Sequence, residues 1–438
     1  MGSFVPTTPS ERQQMLKTIG VGSVEELFRD VPQEMRIDGY LDLPSGKSEM
    51  ETLESVSALA EKNHVFRTCL RGAGSYRHYI PAAVKAIVNR EEFVTAYTPY
   101  QAEISQGILQ AIFEYQTMLC ELTGMDVSNA CVYDGGTAAA ESITMCRDRK
   151  RTKAYVSATT DPQVIEVMKT YCFGSDVELT VVPQKDGRTD PEALRSLLGQ
   201  DAACFYVQQP NFYGLLEEAE LLGEITHAAG AKYVMGVNPI SLAILKTPAE
   251  CGADVAVGEG QPLGLDTAFG GPYLGFMTAS SAMMRKLPGR IVGQTVDTEG
   301  EIGYVLTLSA REQHIRREKA SSNICSNEQL CAFTAAVYLS AMGEKGLRQA
   351  ATLCTSKAHY FAQQLEEKLG WKRMHPGEFF HEFVTECPDA EKALAALAKR
   401  DILGGLPVEG GILWCVTEVV TKERLDEAVA ILQEVSCG

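Results

Sequence analysis

Short runs of apolar residues alternate with helical or turn-like stretches between about residue 154 and residue 278. Two of the intervening stretches begin with Asp-Pro, at Asp161 and Asp190, which is typical of a helix N-cap followed by proline in the first turn. Such alternation of strands and helices predicts an α/β fold in which helices cover both faces of a mostly parallel sheet. The predicted strands cover residues 154–158, 179–182, 203–207, 233–237, 255–257 and 273–278.

The pattern changes on both sides of this region. From 103 to 122, apolar residues recur at helical spacing up to Gly124, which predicts a helix within the core or an interface. The first 70 residues are short helical pieces broken by glycine and proline. The C-terminal part combines a long helical run near 327–370 with strands near 379–385 and 411–416. We therefore predict a helical arm (1–75), a large α/β domain (76–325) and a smaller α+β domain (326–438).

Composition and charge exclude several classes of function. The chain of 438 residues has a formal net charge of −17 and no long basic run, which argues against binding to nucleic acid or to an anionic membrane. Its 13 cysteines are scattered singly and its seven histidines form no ligand-spaced cluster, so we expect reduced thiols and no metal site. No apolar stretch reaches the roughly 20 residues of a membrane span, and no signal-peptide pattern is present. These features predict a cytoplasmic protein.

A glycine-rich helix start provides the first candidate for chemistry. Gly135, Gly136 and Thr137 open a predicted helix, where free N–H groups and a hydroxyl can form a phosphate-sized anion site. The alternative is an ordinary helix cap. A phosphate site before an alternating α/β region and a small α+β domain resembles the layout of pyridoxal-phosphate enzymes of fold type I.

That class of enzyme needs two further groups. A carboxylate at the end of a middle strand must keep the pyridine nitrogen protonated, and a lysine must carry the cofactor covalently. The predicted strand at 233–237 is followed by Asn238, and the glycine-rich loop at 257–273 offers Gln261. Neither amide can perform these tasks. The sequence therefore predicts the fold without its cofactor chemistry.

Four long motifs make the resemblance specific. They are RGAGSYRHYIP (71–81), TAYTPYQAEISQG (95–107), PGRIVG (288–293) and REQHIRREKASSNIC (311–325). Together they resemble the P-protein of the glycine cleavage system over nearly the whole chain, and in particular subunit 1 of its two-subunit form. In that family the cofactor lysine belongs to the sister subunit, in a loop that ends in a similar Gly-Gly-Pro. Counting back from Gly270-Gly271-Pro272 places Gln261 at the lysine position.

The resemblance implies a function and its partners. It implies a glycine dehydrogenase that decarboxylates glycine and passes the aminomethyl group to the lipoyl arm of H-protein. Pyridoxal phosphate would be held covalently by the lysine-bearing subunit 2, in an α2β2 assembly. Two alternatives remain open: a self-sufficient homodimeric decarboxylase or aminotransferase that uses Lys246, and a non-catalytic scaffold with this fold. Lys246 precedes Pro248 by two residues, a position that favours a solvent-facing loop.

The motifs also carry the candidate site residues. Tyr97, Tyr100 and Gln101, together with Thr98, are predicted to line the shared site, because each of these side chains can hydrogen-bond a small polar substrate. The alternative is a structural turn before the helix.

The remaining candidates come from two other motifs. Arg71, Tyr76 and His78 are predicted either to face the shared site or to dock their segment onto the body of the chain. Ser322 and Asn323 are candidates to reach the phosphate of the partner, and a purely structural loop is the alternative.

Overall fold

The computed structural model describes residues 6–37, 39, 41–97, 99–320, 322–324 and 328–436. It separates into two compact units, residues 1–64 and residues 65–438. The first unit contains two α-helices and two short 3-10 turns, at Glu25–Phe28 and Gln33–Met35. The helices are α1 (Pro9–Ile19), which Thr8 caps through a capping box, and α2 (Glu49–Ala60), which Ser48 caps in the same way.

The second unit is an α/β body, as predicted, followed by a smaller α+β part. Its strands are β1 (Thr68–Cys69), β2 (Val127–Ser128), β3 (Lys153–Ser157), β4 (Leu179–Val182), β5 (Gln184–Lys185), β6 (Arg188–Thr189), β7 (Ala202–Gln209), β8 (Lys232–Val237), β9 (Val255–Glu259), β10 (Gly275–Ala279), β11 (Val292–Val296), β12 (Ile302–Leu306), β13 (Glu382–Glu386), β14 (Ile402–Leu403), β15 (Leu406–Val408) and β16 (Gly411–Cys415). Its helices are α3 (Ala82–Val88), α4 (Glu91–Val94), α5 (Gln106–Thr123), α6 (Gly135–Cys146), α7 (Pro162–Gly174), α8 (Pro191–Leu197), α9 (Ala219–Ala228), α10 (Gln313–Arg316), α11 (Gln329–Leu369), α12 (Ala390–Ala398) and α13 (Lys422–Ser436).

A seven-stranded sheet forms the centre of this body. Its strand order is β2-β10-β9-β8-β7-β3-β4. The five strands from β9 to β4 are mutually parallel, and β10 runs antiparallel to β9 and β2. Asp161 and Asp190 cap α7 and α8 and each is followed by proline, which confirms both predicted helix starts.

Apolar clusters cover both faces of the sheet. Phe205 and Tyr233 belong to one cluster, whereas their neighbours Cys204 and Val234 belong to the other. This alternation follows from the period of two along a strand. A separate cluster, which includes Trp414 and Phe361, lies where the small sheet β13-β16-β15 meets α11, α12 and α13.

The predicted helix at 103–122 is α5, which ends at Gly124 in a left-handed conformation (φ 70°). Ile112, Tyr115 and Leu119 are buried, and α5 packs against α11 and the β11–β12 hairpin. The helix therefore belongs to the core. Among the described residues, no helix is both long and apolar enough to cross a membrane.

Candidate functional site

A cavity of about 420 Å³ lies at the carboxyl ends of β7, β8 and β9. The first residues of α6 and α7 form its opposite wall. In open α/β sheets this edge is the usual location of a ligand site. Its polar or charged side chains are Ser75, Tyr76, Asp134, Asp161, Gln163, Tyr206, Gln208, Asn238, Glu259 and Tyr273. Three of the described lining residues are acidic and none is lysine or arginine.

The helix start predicted to bind phosphate is occupied by carboxylates of the chain itself. Asp134 caps α6 by accepting a hydrogen bond from the N–H of Thr137 at 2.7 Å. Glu259 accepts a hydrogen bond from the N–H of Gly135 at 2.9 Å. Gly136 follows in the first turn and lines the cavity. A phosphate at this position would meet two carboxyl groups where the predicted site needs free N–H groups.

Glu259 is held in place by its surroundings. It also accepts hydrogen bonds from the N–H of Gln261 at 2.8 Å and of Leu274 at 2.9 Å. Burial nevertheless raises the pKa of Glu259 to about 7, and the nearby charge of Asp134 acts in the same direction. A Cβ atom on Gly135 would lie 2.9 Å from the Cβ of Glu259, so the helix start and this side chain are fitted closely together.

Gln261 uses its carboxamide entirely within the chain. The side chain is 1% exposed, and its oxygen accepts a hydrogen bond from the N–H of Tyr76 at 2.9 Å. Its nitrogen donates to the carbonyl oxygens of Tyr76 at 2.9 Å and of Leu265 at 2.8 Å. Gln261 therefore closes the 71–76 segment against the edge of the sheet.

Asn238 follows the end of β8 and lines the cavity. Its oxygen accepts a hydrogen bond from the N–H of Ile240 at 2.9 Å and so stabilises the following turn. Its amide nitrogen is buried and has no hydrogen-bond partner among the described residues. The position predicted for the pyridine-binding carboxylate thus carries no charge.

The side chains of Arg71 and Tyr76 point toward the C-terminal part of the chain. Arg71 donates to the carbonyl oxygens of Gly404 and Gly405 at 2.8–3.2 Å, and burial lowers its pKa. The hydroxyl of Tyr76 donates to Glu382 at 2.7 Å. Burial raises the pKa of Glu382 to about 7.

His78 is also directed inward, because its Nδ1 lies 2.7 Å from the carboxylate of Glu418. For Arg71, Tyr76 and His78, the geometry favours docking, one of the two predicted roles.

The segment at 97–101 presents its side chains differently. It forms the turn between α4 and α5, and none of its described residues lines the cavity. Tyr97 is 86% exposed and Gln101 is also exposed. Tyr100 is half-buried, with the guanidinium of Arg290 4.5 Å from the centre of its ring. Thr98 lies outside the described residues.

The remaining candidates lie apart from the cavity. The hydroxyl of Ser322 donates to Glu141 at 3.0 Å, and burial raises the pKa of Glu141 to about 7. Asn323 is exposed. Lys246 is exposed and donates to Glu220 at 2.8 Å, and it does not line the cavity.

Comparison with known proteins places the chain in a family. The model of the family described as glycine cleavage system P-protein matches residues 2–432. The chain belongs to the glycine cleavage system P-protein family. A relative named probable glycine dehydrogenase (decarboxylating) subunit 1, from Desulfitobacterium hafniense, is 47% identical over 99% of this P-protein chain and 100% of its own length. A relative of the same name from Carboxydothermus hydrogenoformans is 48% identical over 98% of this chain and 99% of its own length.

Solved structures support the same placement. A crystal structure of glycine decarboxylase (P-protein) of the glycine cleavage system, in inhibitor-bound form, is 42% identical over 99% of this chain and 100% of that chain, with a TM-score of 0.91. The sphingosine-1-phosphate lyase of Burkholderia pseudomallei is 13% identical, covers 91% of this chain and 92% of its own, and has a TM-score of 0.67. The latter likeness concerns the fold alone. The predicted fold class, that of pyridoxal-phosphate enzymes of fold type I, is confirmed.

Sequence reasoning missed the two buried carboxylates that organise this P-protein site. Glu259 precedes Gln261 by two residues and lies just beyond the predicted strand 255–257, so an acidic residue near the predicted lysine position was a readable signal. Glu382 lies more than 300 residues from the segment that it holds. No local pattern reports such a contact.

Proposed function

We propose that this P-protein chain is the subunit without the cofactor lysine in a two-subunit glycine dehydrogenase (decarboxylating, aminomethyl-transferring). Its partner is a lysine-bearing subunit 2, in an α2β2 assembly that decarboxylates glycine and delivers the aminomethyl group to lipoyl H-protein. The observation that carries this proposal is the buried Gln261, whose carboxamide is fully hydrogen-bonded at the lysine position. The names of the full-length relatives, each a subunit 1, support it.

The P-protein family and the fold imply that pyridoxal phosphate is the cofactor of the assembled enzyme. The cavity of this chain does not fit that cofactor, since Glu259 occupies the anion position and Asn238 and Gln261 replace the two essential groups. When bound in the sister subunit, the cofactor supplies an electron-withdrawing ring that stabilises the negative charge remaining on the α-carbon of glycine after carbon dioxide leaves. The covalent and electronic part of the reaction therefore belongs to the partner.

The contribution of this chain is then to bind and orient glycine at the sister site. The exposed turn with Tyr97 and Gln101 supports this role, because both side chains are open to a partner and neither lines the chain's own cavity. Tyr100, beside Arg290, and Thr98 complete the proposed binding segment. Hydroxyl and amide groups of this kind can hold a small zwitterion while excluding water from it.

Exposed apolar side chains support a large interface with the sister subunit. Within the first unit, α2 has no buried residue, and Met35, Leu43 and Met50 are all at least 70% exposed. Next to the binding segment, Ile104 is 79% exposed. Obligate interfaces bury more than about 2,000 Å² and are mostly apolar. The arm and the turn before α5 are therefore the surfaces that we assign to the partner, whereas α5 itself packs inside the chain.

Reconstitution tests the proposal. Each subunit alone should fail to exchange the carboxyl group of glycine with bicarbonate in the presence of lipoyl H-protein, and the mixture should restore exchange. Sedimentation of the mixture should show a stable hetero-oligomer at micromolar concentration. Independent sedimentation of the two chains, or full exchange by the lysine-bearing subunit alone, would contradict the proposal.

Lys246 gives no support to a self-sufficient enzyme. Its amine is exposed, its ion pair with Glu220 raises its pKa, and a nucleophilic lysine needs the opposite shift. No described lining residue of the cavity is a lysine.

A further inference from the structure

Three side chains of the types that bind metals meet inside the second unit, away from the cavity. His78 belongs to the 71–81 motif, Cys354 to α11, and Glu418 follows β16. Their ligand atoms all lie within 4.8 Å of one another. The Nδ1 of His78 lies 2.7 Å from Oε2 of Glu418, and the Sγ of Cys354 lies 3.3 Å from the same oxygen. We call these three residues the His–Cys–Glu cluster.

The cluster is buried, and nitrogen atoms in and near it have no hydrogen-bond partner among the described residues. The side chains of His78 and Glu418 are 2% and 10% exposed, and Cys354 is fully buried. The Nε2 of His78 has no hydrogen-bond partner among the described residues. The same holds for both ring nitrogens of the nearby His381, which is 1% exposed and interacts electrostatically with His78 and Glu418. Native interiors rarely leave so many buried nitrogens without a partner.

The chemistry of the donors selects the ligand. A thiolate, an imidazole nitrogen and a carboxylate form a mixed set that zinc binds in proteins, and a structural zinc site has four ligands. Ligand atoms around tetrahedral zinc stand about 3.5 Å apart, and the three ligand atoms of the cluster lie within 4.8 Å of one another. The thiolate and the carboxylate together carry two negative charges, which a divalent ion neutralises. Lys357 donates to the backbone oxygen of Glu418 and the N–H of Tyr79 donates to Oε1 at 2.7 Å, which leaves Oε2 for the ion.

We propose that His78, Cys354 and Glu418 bind one zinc ion, with a water molecule in the fourth position. Binding forms bonds from zinc to Oε2 of Glu418, to the sulfur of Cys354 and to Nδ1 of His78, which replace three of the waters of the ion. The thiol proton of Cys354 goes to solvent, and the Nδ1 proton of His78 moves to Nε2. The ion fastens the 71–81 motif to α11 and to the end of β16. The sequence predicts no such site, because His78 and Glu418 are 340 residues apart and only the fold brings them together.

The test uses the full-length chain, purified without chelators or a histidine tag. Elemental analysis should find about one zinc per chain. After removal of the metal, titration with Co²⁺ should produce a thiolate-to-cobalt charge-transfer band that saturates at about one equivalent. Zinc should also raise the Tm of the metal-free chain. If the His–Cys–Glu cluster is only hydrogen-bonded and binds no ion, neither the charge-transfer band nor the increase in Tm should appear.

Variants locate the site. Cys354→Ala should lose the charge-transfer band, and His78→Gln should weaken Co²⁺ binding at least tenfold. Cys331→Ala is the matched control, because Cys331 is also buried in α11 but does not belong to the cluster. It should retain the metal and the band. Wild-type chain with less than about a tenth of an equivalent of zinc and no cobalt band overturns the proposal even if a variant fails to fold, and so does a band that persists in Cys354→Ala.

Discussion

Gln261 and Gln101 carry the same carboxamide, and the chain uses the two in opposite ways. Gln261 is buried and makes three hydrogen bonds to the backbone, whereas Gln101 is exposed in the turn before α5. The first holds the 71–76 segment in place through its bonds to Tyr76. The second belongs to a polar segment whose described residues do not line the cavity. The contrast supports the proposal that this chain acts through its exposed segment rather than through its own cavity.

The largest effect is expected from opening the closed region. Gln261→Ala leaves three buried backbone groups without their partner, which should lower the free energy of unfolding by about 2–4 kcal/mol. Denaturant titration of the isolated chain measures this loss. Activity of the reconstituted enzyme should fall only as far as the folded fraction falls.

The matched control is Gln110→Ala, since Gln110 is an exposed glutamine on the neighbouring helix. It should change stability by less than about 0.5 kcal/mol. If Gln261→Ala is equally harmless, the carboxamide does not hold the 71–76 segment.

The contrast also shows what the sequence could and could not predict. Strands with local apolar runs, and the helix starts at Asp161 and Asp190, follow from short-range patterns and are confirmed. The substitutions at Asn238 and Gln261 were readable because the family layout fixed their positions. The hydrogen bonds that the side chains of Asn238 and Gln261 make within the chain could not be predicted from the sequence.

Long-range contacts account for most of what was missed. Glu259 fills the anion position only because β9 ends beside the start of α6, 124 residues earlier. The same limit applies to the His–Cys–Glu cluster. For the 71–78 segment, the choice between facing a partner and docking on the chain depended on Glu382, Gly404 and Gly405, which no local pattern connects with it.

The second prediction concerns the exposed region. Removing one polar contact to a charged substrate typically costs about 1.5–3 kcal/mol, a tenfold to hundredfold loss of turnover. Gln101→Ala, Tyr97→Phe and Tyr100→Phe should each lower glycine turnover of the reconstituted enzyme within this range. Sedimentation and Tm should stay unchanged, because none of these changes removes a buried side chain from the core. Full turnover in all three variants would make the segment a structural turn.

The third prediction uses pH to probe the closed region. Burial raises the pKa of Glu382 to about 7 from an ordinary value near 4.5, so between these values the folded chain binds more protons than the unfolded chain. The contribution of this group to stability is therefore complete below about pH 4.5 and is lost as pH rises through about 7. Glu141 and Glu259 act in the same direction.

Glu382→Gln should remove one part of this dependence, roughly 2–3 kcal/mol between pH 5 and pH 8. An amide can still accept from the N–H of Ala73 and donate to Tyr76, so the fold should persist. Denaturant midpoints measured across this pH range give the slope. Glu409→Gln, at an exposed carboxylate, is the control and should leave the slope unchanged. An identical slope in Glu382→Gln would mean that Glu382 does not titrate in this window.

The smallest effect is expected at Lys246. It distinguishes a subunit that depends on a lysine-bearing partner from a self-sufficient enzyme that uses Lys246. Because Gln261 and Asn238 stand at the positions that we predict for the two cofactor-binding groups, the isolated chain should form no stoichiometric covalent adduct with pyridoxal phosphate. Incubation with the cofactor, borohydride reduction and peptide mapping should find only scattered labelling, whereas the lysine-bearing sister subunit should be labelled at one lysine. Lys246→Ala breaks only an exposed ion pair with Glu220, so stability should change by less than about 1 kcal/mol and turnover should not change. The opposite outcome is a single stoichiometric label at Lys246 that is lost, together with activity, in Lys246→Ala. It would show that this chain is a self-sufficient enzyme and would contradict the role proposed for the 97–101 segment at the sister site.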